Sequence, residues 1–236
     1  MRRLGLIGGL SWESTRLYYD AINRAVAARL GGAHSAPLIV DSLDFGPIAR
    51  AQEEGRWDDA AEAVVAAAER LHRAGVEAVA IGSNTMHKCA DAVRGAVPLP
   101  LIHIVDPLRE ALAGDGRARP LLLATRFTME QDYIRAPLGE AGIVASIPDQ
   151  DDRATIHRII YDELVRGTVT EASRDAFLAI IAKGRDSGAD SVILGCTEIG
   201  LLVDAGNSPL PVYDTMALHS AALAEFILGQ SRSHLC

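Results

Sequence analysis

The chain has 236 residues, 49% of them hydrophobic, and a formal net charge of −8 from 23 Lys and Arg against 31 Asp and Glu. This composition excludes a disordered chain, and the length allows one large domain or two small ones, each with a sizeable core. An acidic balance without a basic block argues against nucleic-acid or anionic-membrane partners, and three cysteines (Cys89, Cys196, Cys236) do not make a disulfide framework.

The opening MRRLGLIGGLSWES holds too short an apolar stretch for a secretory segment. No apolar run approaches the ~18–20 residues of a membrane span. The expectation is a soluble, cytoplasmic protein. In chain order, RLGLIGG, APLIVDSLDF, VEAVAIGS, LPLIHIV, RPLLLAT, GIVASIP, DSVILGC and LPVYD read as strands, most of them buried on both faces. Helices lie between them. DDAAEAVVAAAERLHRAG places Ala60, Val64, Ala67, Ala68 and Leu71 on one face and stops at Gly75. RATIHRIIYDELVRG does the same with Ile156, Ile159, Ile160 and Leu164, ending at Gly167. TVTEASRDAFLAIIAKG opens with Thr168 and Glu171 at capping-box spacing. The alternation predicts an α/β fold with mainly parallel sheet.

The chain also repeats itself. GVEAVAIGSNT from Gly75 and GADSVILGCTE from Gly188 align without gaps, setting Gly82 on Gly195 and Ser83 on Cys196. GGLSWES lies over RFTMEQ with Ser11 on Thr128 and Glu13 on Glu130. VPLPLIHIVDPL lies over SPLPVYDTMAL with Pro98 on Pro209 and Pro100 on Pro211. Three matches in the same order predict two pseudo-twofold-related, doubly wound parallel-sheet lobes with the active site in the cleft between them. Residues 1–116 and 208–236 are expected to form the first lobe, with the last strand and helix packing back on it, and 117–207 the second.

In open parallel sheets ligands bind beyond the carboxyl ends of the strands, where both echoed loops lie. Ser83 and Cys196 are therefore the candidate catalytic pair. Asn84, Thr85 and Thr197 add an amide, hydroxyls and helix-entry N–H groups suited to a carboxylate. Thr125 and Thr128 begin the equivalent loop of the second unit, where Thr128 also reads as an N-cap with Gln131. Gly5, Gly8 and Gly9 miss the spacing of a dinucleotide loop, and no His, Cys or carboxylate cluster has metal-ligand spacing. No cofactor and no metal are expected. The site suits proton transfer at a carbon flanked by carboxylate.

The motifs NTMHK (Asn84 to Lys88), GCTEIGLL (Gly195 to Leu202), GLIGGLSWEST (Gly5 to Thr15), ATRFTMEQDY (Ala124 to Tyr133) and IIYDEL (Ile159 to Leu164) resemble the aspartate/glutamate racemase family over almost the whole chain. The resemblance implies interconversion of D- and L-aspartate or glutamate by two bases, without pyridoxal phosphate or metal, usually in a homodimer. It implies α-carboxylate contacts from Asn84, Thr85 and Thr197, and substrate contacts from Gln52 and, in the first loop, Ser11. Two-cysteine members carry a thiol where this chain has Ser83, although members with the NTMHK form carry threonine there. Glu198 replaces the histidine of glutamate racemases, which points to the aspartate-type branch; Glu198 and His87 are further candidates for tuning the site.

A cysteine at a helix entry is readily ionised, so Cys196 is expected to be the thiolate base on one face of the carbon. Ser83, a far weaker acid, would donate a proton on the other face or relay one from water or His87. Arg50, Arg56, Lys88 and Arg166 are candidate cations for a distal carboxylate. Cys89 and Cys236 are expected to be incidental. Two other readings remain open: a one-thiol decarboxylase of malonate-type acids, and a non-catalytic amino-acid-binding protein.

Overall fold

Buried apolar runs and amphipathic segments sort into two three-stranded parallel sheets in the computed structural model, which describes residues 1–229. Cys236 lies outside the described residues. The chain divides into two units, one of Met1–His103 with the segment from His219 onward, the other of Ile104–Leu218.

The first unit runs β1 (Leu4–Gly8), α1 (Trp12–Leu30), β2 (Leu38–Ser42), α2 (Phe45–Glu53), α3 (Trp57–Arg73), β3 (Ala78–Ile81), a 3-10 turn at Thr85–Cys89 and α4 (Ala90–Ala96). Its strand order is β2-β1-β3, all parallel. Every residue of β1 and β3 is buried, as expected of strands covered on both faces. Helix α3 buries Ala60, Val64, Ala67, Ala68 and Leu71, the face read from its period. Its alanines let the helix lie close to the sheet, and a Cβ at Gly5 would stand 3.1 Å from Leu71. Full burial of Val64 and Leu71 stabilises the unit by about 1.5–3 kcal/mol each.

The second unit runs α5 (Val105–Gly114), β4 (Pro120–Ala124), α6 (Arg126–Glu130), α7 (Asp132–Glu140), α8 (Gln150–Asp162), a 3-10 turn at Leu164–Arg166, α9 (Glu171–Asp186), β5 (Ser191–Gly195), a 3-10 turn at Ile199–Leu201 and β6 (Val212–Asp214). Helix α10 (Thr215–Ile227) begins in this unit, and its residues from His219 belong to the first. The parallel order is β4-β5-β6. Ile156, Ile159, Ile160 and Leu164 are buried, and Gly167 adopts φ 75°, a left-handed stop that glycine takes without strain.

The internal repeat extends to sheet register. Val79 pairs with Gly5 of β1 and bridges Leu101, while Val192 pairs with Leu121 of β4 and with Val212 of β6. The alignment that sets Gly82 on Gly195 sets Val79 on Val192, and the one that sets Pro100 on Pro211 sets Leu101 on Val212. On the other side, Ile39 pairs with Gly5 and Ser146 with Leu121, so residue 146 takes the place of β2.

Three expectations are corrected. LPLIHIV and GIVASIP yield single bridges at Leu101 and Ser146 rather than strands, because α5 and α8 begin within a few residues of each. The strand near the carboxyl end joins β5 instead of the first unit, and α5 packs Ile104, Val105, Leu108 and Leu112 into the second core. The divisions therefore fall at His103/Ile104 and Leu218/His219, not near 116 and 208. Finally, Thr170 rather than Thr168 caps α9, accepting from Ser173 N–H at 3.1 Å. The Thr168 N–H is already bonded to the Glu163 carbonyl, which ties that residue to the end of the preceding segment.

Candidate active site

In the first unit the loops after β1 and β3 carry the candidate residues. Ser11 caps α1 and accepts from Ser14 N–H at 3.2 Å, at φ 112°, the only positive φ of a non-glycine among the described residues. Gly9 precedes it at φ 71°, and a Cβ there would lie 2.1 Å from the Leu43 carbonyl oxygen, so close approach of two loops requires glycine. Ser83 follows β3 and is half-buried, with its hydroxyl 3.4 Å from the Met86 N–H. Asn84, Thr85 and His87 are buried beside it. Gln52 of α2 is buried and donates to Met86 Sδ at 2.9 Å, which places it against the NTMHK turn. Three buried histidines underlie this turn. The ring centroid of His87 is 4.5 Å from that of His103 and 5.8 Å from that of His219. Burial first, then the neighbouring rings, hold the pKa of His87 well below the ordinary histidine value. A neutral His87 is unsuited to the relay expected of it.

In the second unit Cys196 follows β5 and is 7% exposed. Its thiol lies 3.1 Å from Glu198 Oε2, which also accepts from the Thr197 hydroxyl. Glu198 is itself buried. Burial, and then the Glu198 carboxylate, raise the Cys196 pKa well above the usual thiol value, with Asp214 adding in the same direction. The expected resting thiolate is thus corrected to a thiol that donates to Glu198. Register sets Thr125 beside Cys196, one residue past the Ala124–Gly195 pair. Thr125, not Thr128, caps α6, accepting from Thr128 N–H at 3.3 Å. Thr128 is fully buried, its hydroxyl 2.7 Å from Tyr133 Oη and 3.2 Å from Thr125 Oγ1.

The repeat sets the chemistry of the loops side by side. Thr85 corresponds to Glu198, His87 to Gly200 and His103 to Asp214. The same two positions touch in both units: the His87 and His103 rings in the first, and Gly200, whose Cβ would lie 2.8 Å from Asp214 Oδ2, in the second. The thiol therefore has a carboxylate two residues on, where Ser83 has a hydroxyl. Sequence reasoning singled out Glu198 and His87 as tuning candidates but missed the bond of Glu198 to the thiol and the meeting of His87 with His103 and His219. The i, i+2 spacing of Cys196 and Glu198 was a usable signal for the first, whereas His87, His103 and His219 meet only through the fold.

Of the candidate cations, Lys88 stacks 3.9 Å over the Trp57 ring, and Arg56 is held by Glu54 and Asp59. Arg50 and Arg166 are exposed. Cys89 is buried, its pKa pushed up to about 11 by desolvation, which suits an inert core thiol. Among the described residues no group of three or more His, Cys, Asp or Glu is arranged to hold a metal ion, and no helix is long and apolar enough to cross a membrane.

Known proteins share this architecture. A Yersinia pestis protein described as a candidate Asp/Glu racemase superposes with a TM-score of 0.89 at 46% identity, covering 97% of this chain and all of that one. An aspartate racemase homologue from Pyrococcus horikoshii gives 0.83 at 30% identity, with 97% and 100% coverage. The broad specificity amino-acid racemase RacX of Bacillus subtilis is 20% identical over 182 residues, 74% of this chain and 75% of that protein. The family model of the Asp/Glu/Hydantoin racemases matches residues 7–223, and the chain belongs to that family.

Proposed function

We propose that the chain interconverts the L and D forms of aspartate or glutamate without a cofactor, by proton transfer at Cα, with Cys196 serving one face and Ser83 the other. The observation that carries this reading is the buried Cys196–Glu198 pair. A thiol bonded to a carboxylate can act in both directions. Passing its proton to Glu198 leaves a thiolate that takes the Cα hydrogen; holding the proton, it returns one to the carbanion. The Thr197 hydroxyl on Glu198 holds the acceptor oxygen toward the sulfur. Asn84 and Thr85 in the first unit, and Thr125, Thr128 and Thr197 in the second, supply the amide and hydroxyls for the substrate carboxylate.

Ser83 has no carboxylate at the position corresponding to Glu198, so the two directions of proton abstraction differ in rate. The equilibrium between free enantiomers stays at unity. The test is loss of the Cα proton in D2O with appearance of the opposite enantiomer, abolished in Cys196→Ala. A thiol held protonated also favours a second reading, protonation of the carbanion left by decarboxylation of a malonate-type acid. Release of carbon dioxide from a substituted malonate, without exchange of any amino acid, would select it. Binding of an amino acid without exchange in reduced protein would select a binding protein. A homodimer and a cytoplasmic location complete the proposal, to be checked by analytical ultracentrifugation and cell fractionation.

A further inference from the structure

Ser83 is the weaker of the two proposed proton-transfer groups, and the backbone that carries it is held on both sides. Ser14 Oγ donates to the carbonyl of Gly82, the residue before it, at 3.3 Å. His87 Nδ1 lies 2.7 Å from the carbonyl oxygen of Ser83 itself. A carbonyl oxygen can only accept, so Nδ1 carries the ring proton. Burial against His103 and His219 keeps this ring from taking a second proton. His219 is fixed in turn: its Nε2 donates to the Ile102 carbonyl at 2.9 Å, which leaves Nδ1 to accept from Tyr18 Oη at 2.9 Å. Two of the three rings under the turn, those of His87 and His219, thus have a defined tautomer. In the other repeat the His87 position is Gly200, and the Cys196 carbonyl accepts from the Ile199 N–H at 3.2 Å, a backbone group.

We propose that His87 is a positioning residue, an Nδ1–H donor that fixes the peptide after Ser83 while Ser14 fixes the peptide before it, and so aims the Ser83 hydroxyl. This rests on the reading of Ser83 as a proton-transfer group. A hydroxyl without a strong base beside it depends on alignment more than a thiol does, and a misplacement of 1 Å can cost about 10²-fold in rate.

The test exploits the shape of amides. The Asn amide nitrogen can take the place of Nδ1, whereas that of Gln reaches toward Nε2. Racemisation in D2O separates two events: deuterium wash-in with retention, from the face served by Cys196, and inversion, which also needs the Ser83 face. In His87→Gln the ratio of inversion to wash-in falls by roughly tenfold or more, with KM nearly unchanged, and in His87→Asn it returns to within about twofold of wild type. Equal behaviour of the two variants, or a parallel fall of both events, would overturn the proposal. A second measurement does not depend on activity. Nitrogen-15 NMR of the wild type should show His87 as the Nδ1–H tautomer at neutral pH, still neutral as the pH passes through the ordinary histidine value. An Nε2–H tautomer, or protonation at the ordinary histidine value, would also overturn it. Failure of the racemase reading looks different, because the wild type would then exchange no amino acid at all.

Discussion

Acid should weaken the first unit before ordinary carboxylates titrate, because that unit buries neutral histidines. His219 is fully buried, and desolvation lowers its pKa from 6.5 to about 4. The folded value is depressed below the unfolded one, so the unfolded chain binds the extra proton. The stability contributed is complete above pH 6.5 and is lost as the pH falls from there toward 4. With a limiting slope of about 1.4 kcal/mol per pH unit, His219 alone accounts for a loss of about 2 kcal/mol between pH 7 and pH 5. That is a large part of a typical stability of about 5–15 kcal/mol. His87 acts in the same direction, and Asp214, whose pKa is raised by burial, acts in the opposite one. The comparison that isolates His219 is wild type against His219→Gln in urea unfolding at pH 7, 6 and 5. Tryptophan fluorescence is the suitable signal, since Trp12 and Trp57 both belong to the first unit. The stability difference between the two proteins should change by about 2 kcal/mol across the range, in favour of the variant at low pH. A difference constant to within about 0.5 kcal/mol would refute the burial of a neutral ring.

Ser11 offers two substitutions of opposite sign. Ser11→Gly relieves the positive φ, worth about 1–3 kcal/mol, and loses only a few tenths as a cap, so the melting temperature should rise. Ser11→Ala keeps the strain and loses the cap, costing about 1 kcal/mol; a parallel response of the two would contradict the strain assignment. At the thiol, Glu198→Gln removes the carboxylate that raises the Cys196 pKa, so alkylation of Cys196 by iodoacetamide should extend to lower pH. Turnover should nonetheless fall by about 10²–10⁴-fold, because the proton acceptor is gone. Turnover that rises with the thiolate fraction would exclude Glu198 from that role.

What the sequence made legible was local in its physics. The apolar face of α3 follows from helical period, and the buried set Ala60, Val64, Ala67, Ala68 and Leu71 appears as read. The gapless match of Gly82 with Gly195 carries through to equivalent pairings of Val79 and Val192. The assignment of the tail strand failed although its own alignment held the answer: Pro98–Pro100 and Pro209–Pro211 each lead into the fourth position of their own repeat. Competition for one N–H group moved the cap from Thr168 to Thr170. The ionisation of Cys196 differs from the expectation because a helix entry favours a thiolate, whereas here only the 3-10 turn at Ile199–Leu201 follows and burial and the Glu198 and Asp214 carboxylates decide. His219 is 116 residues from His103 along the chain (219 − 103), and no local pattern could have brought it beside His87.

The most direct measurement is proton NMR of L- and D-aspartate and of L- and D-glutamate, each incubated in D2O with reduced wild-type protein, Cys196→Ala or Ser83→Ala. The account predicts loss of the Cα proton and growth of the opposite enantiomer with wild type, abolition of both with Cys196→Ala, and retention of deuterium wash-in from one enantiomer with Ser83→Ala. Exchange that survives Cys196→Ala undiminished, or no exchange of any of the four by wild type, would contradict it.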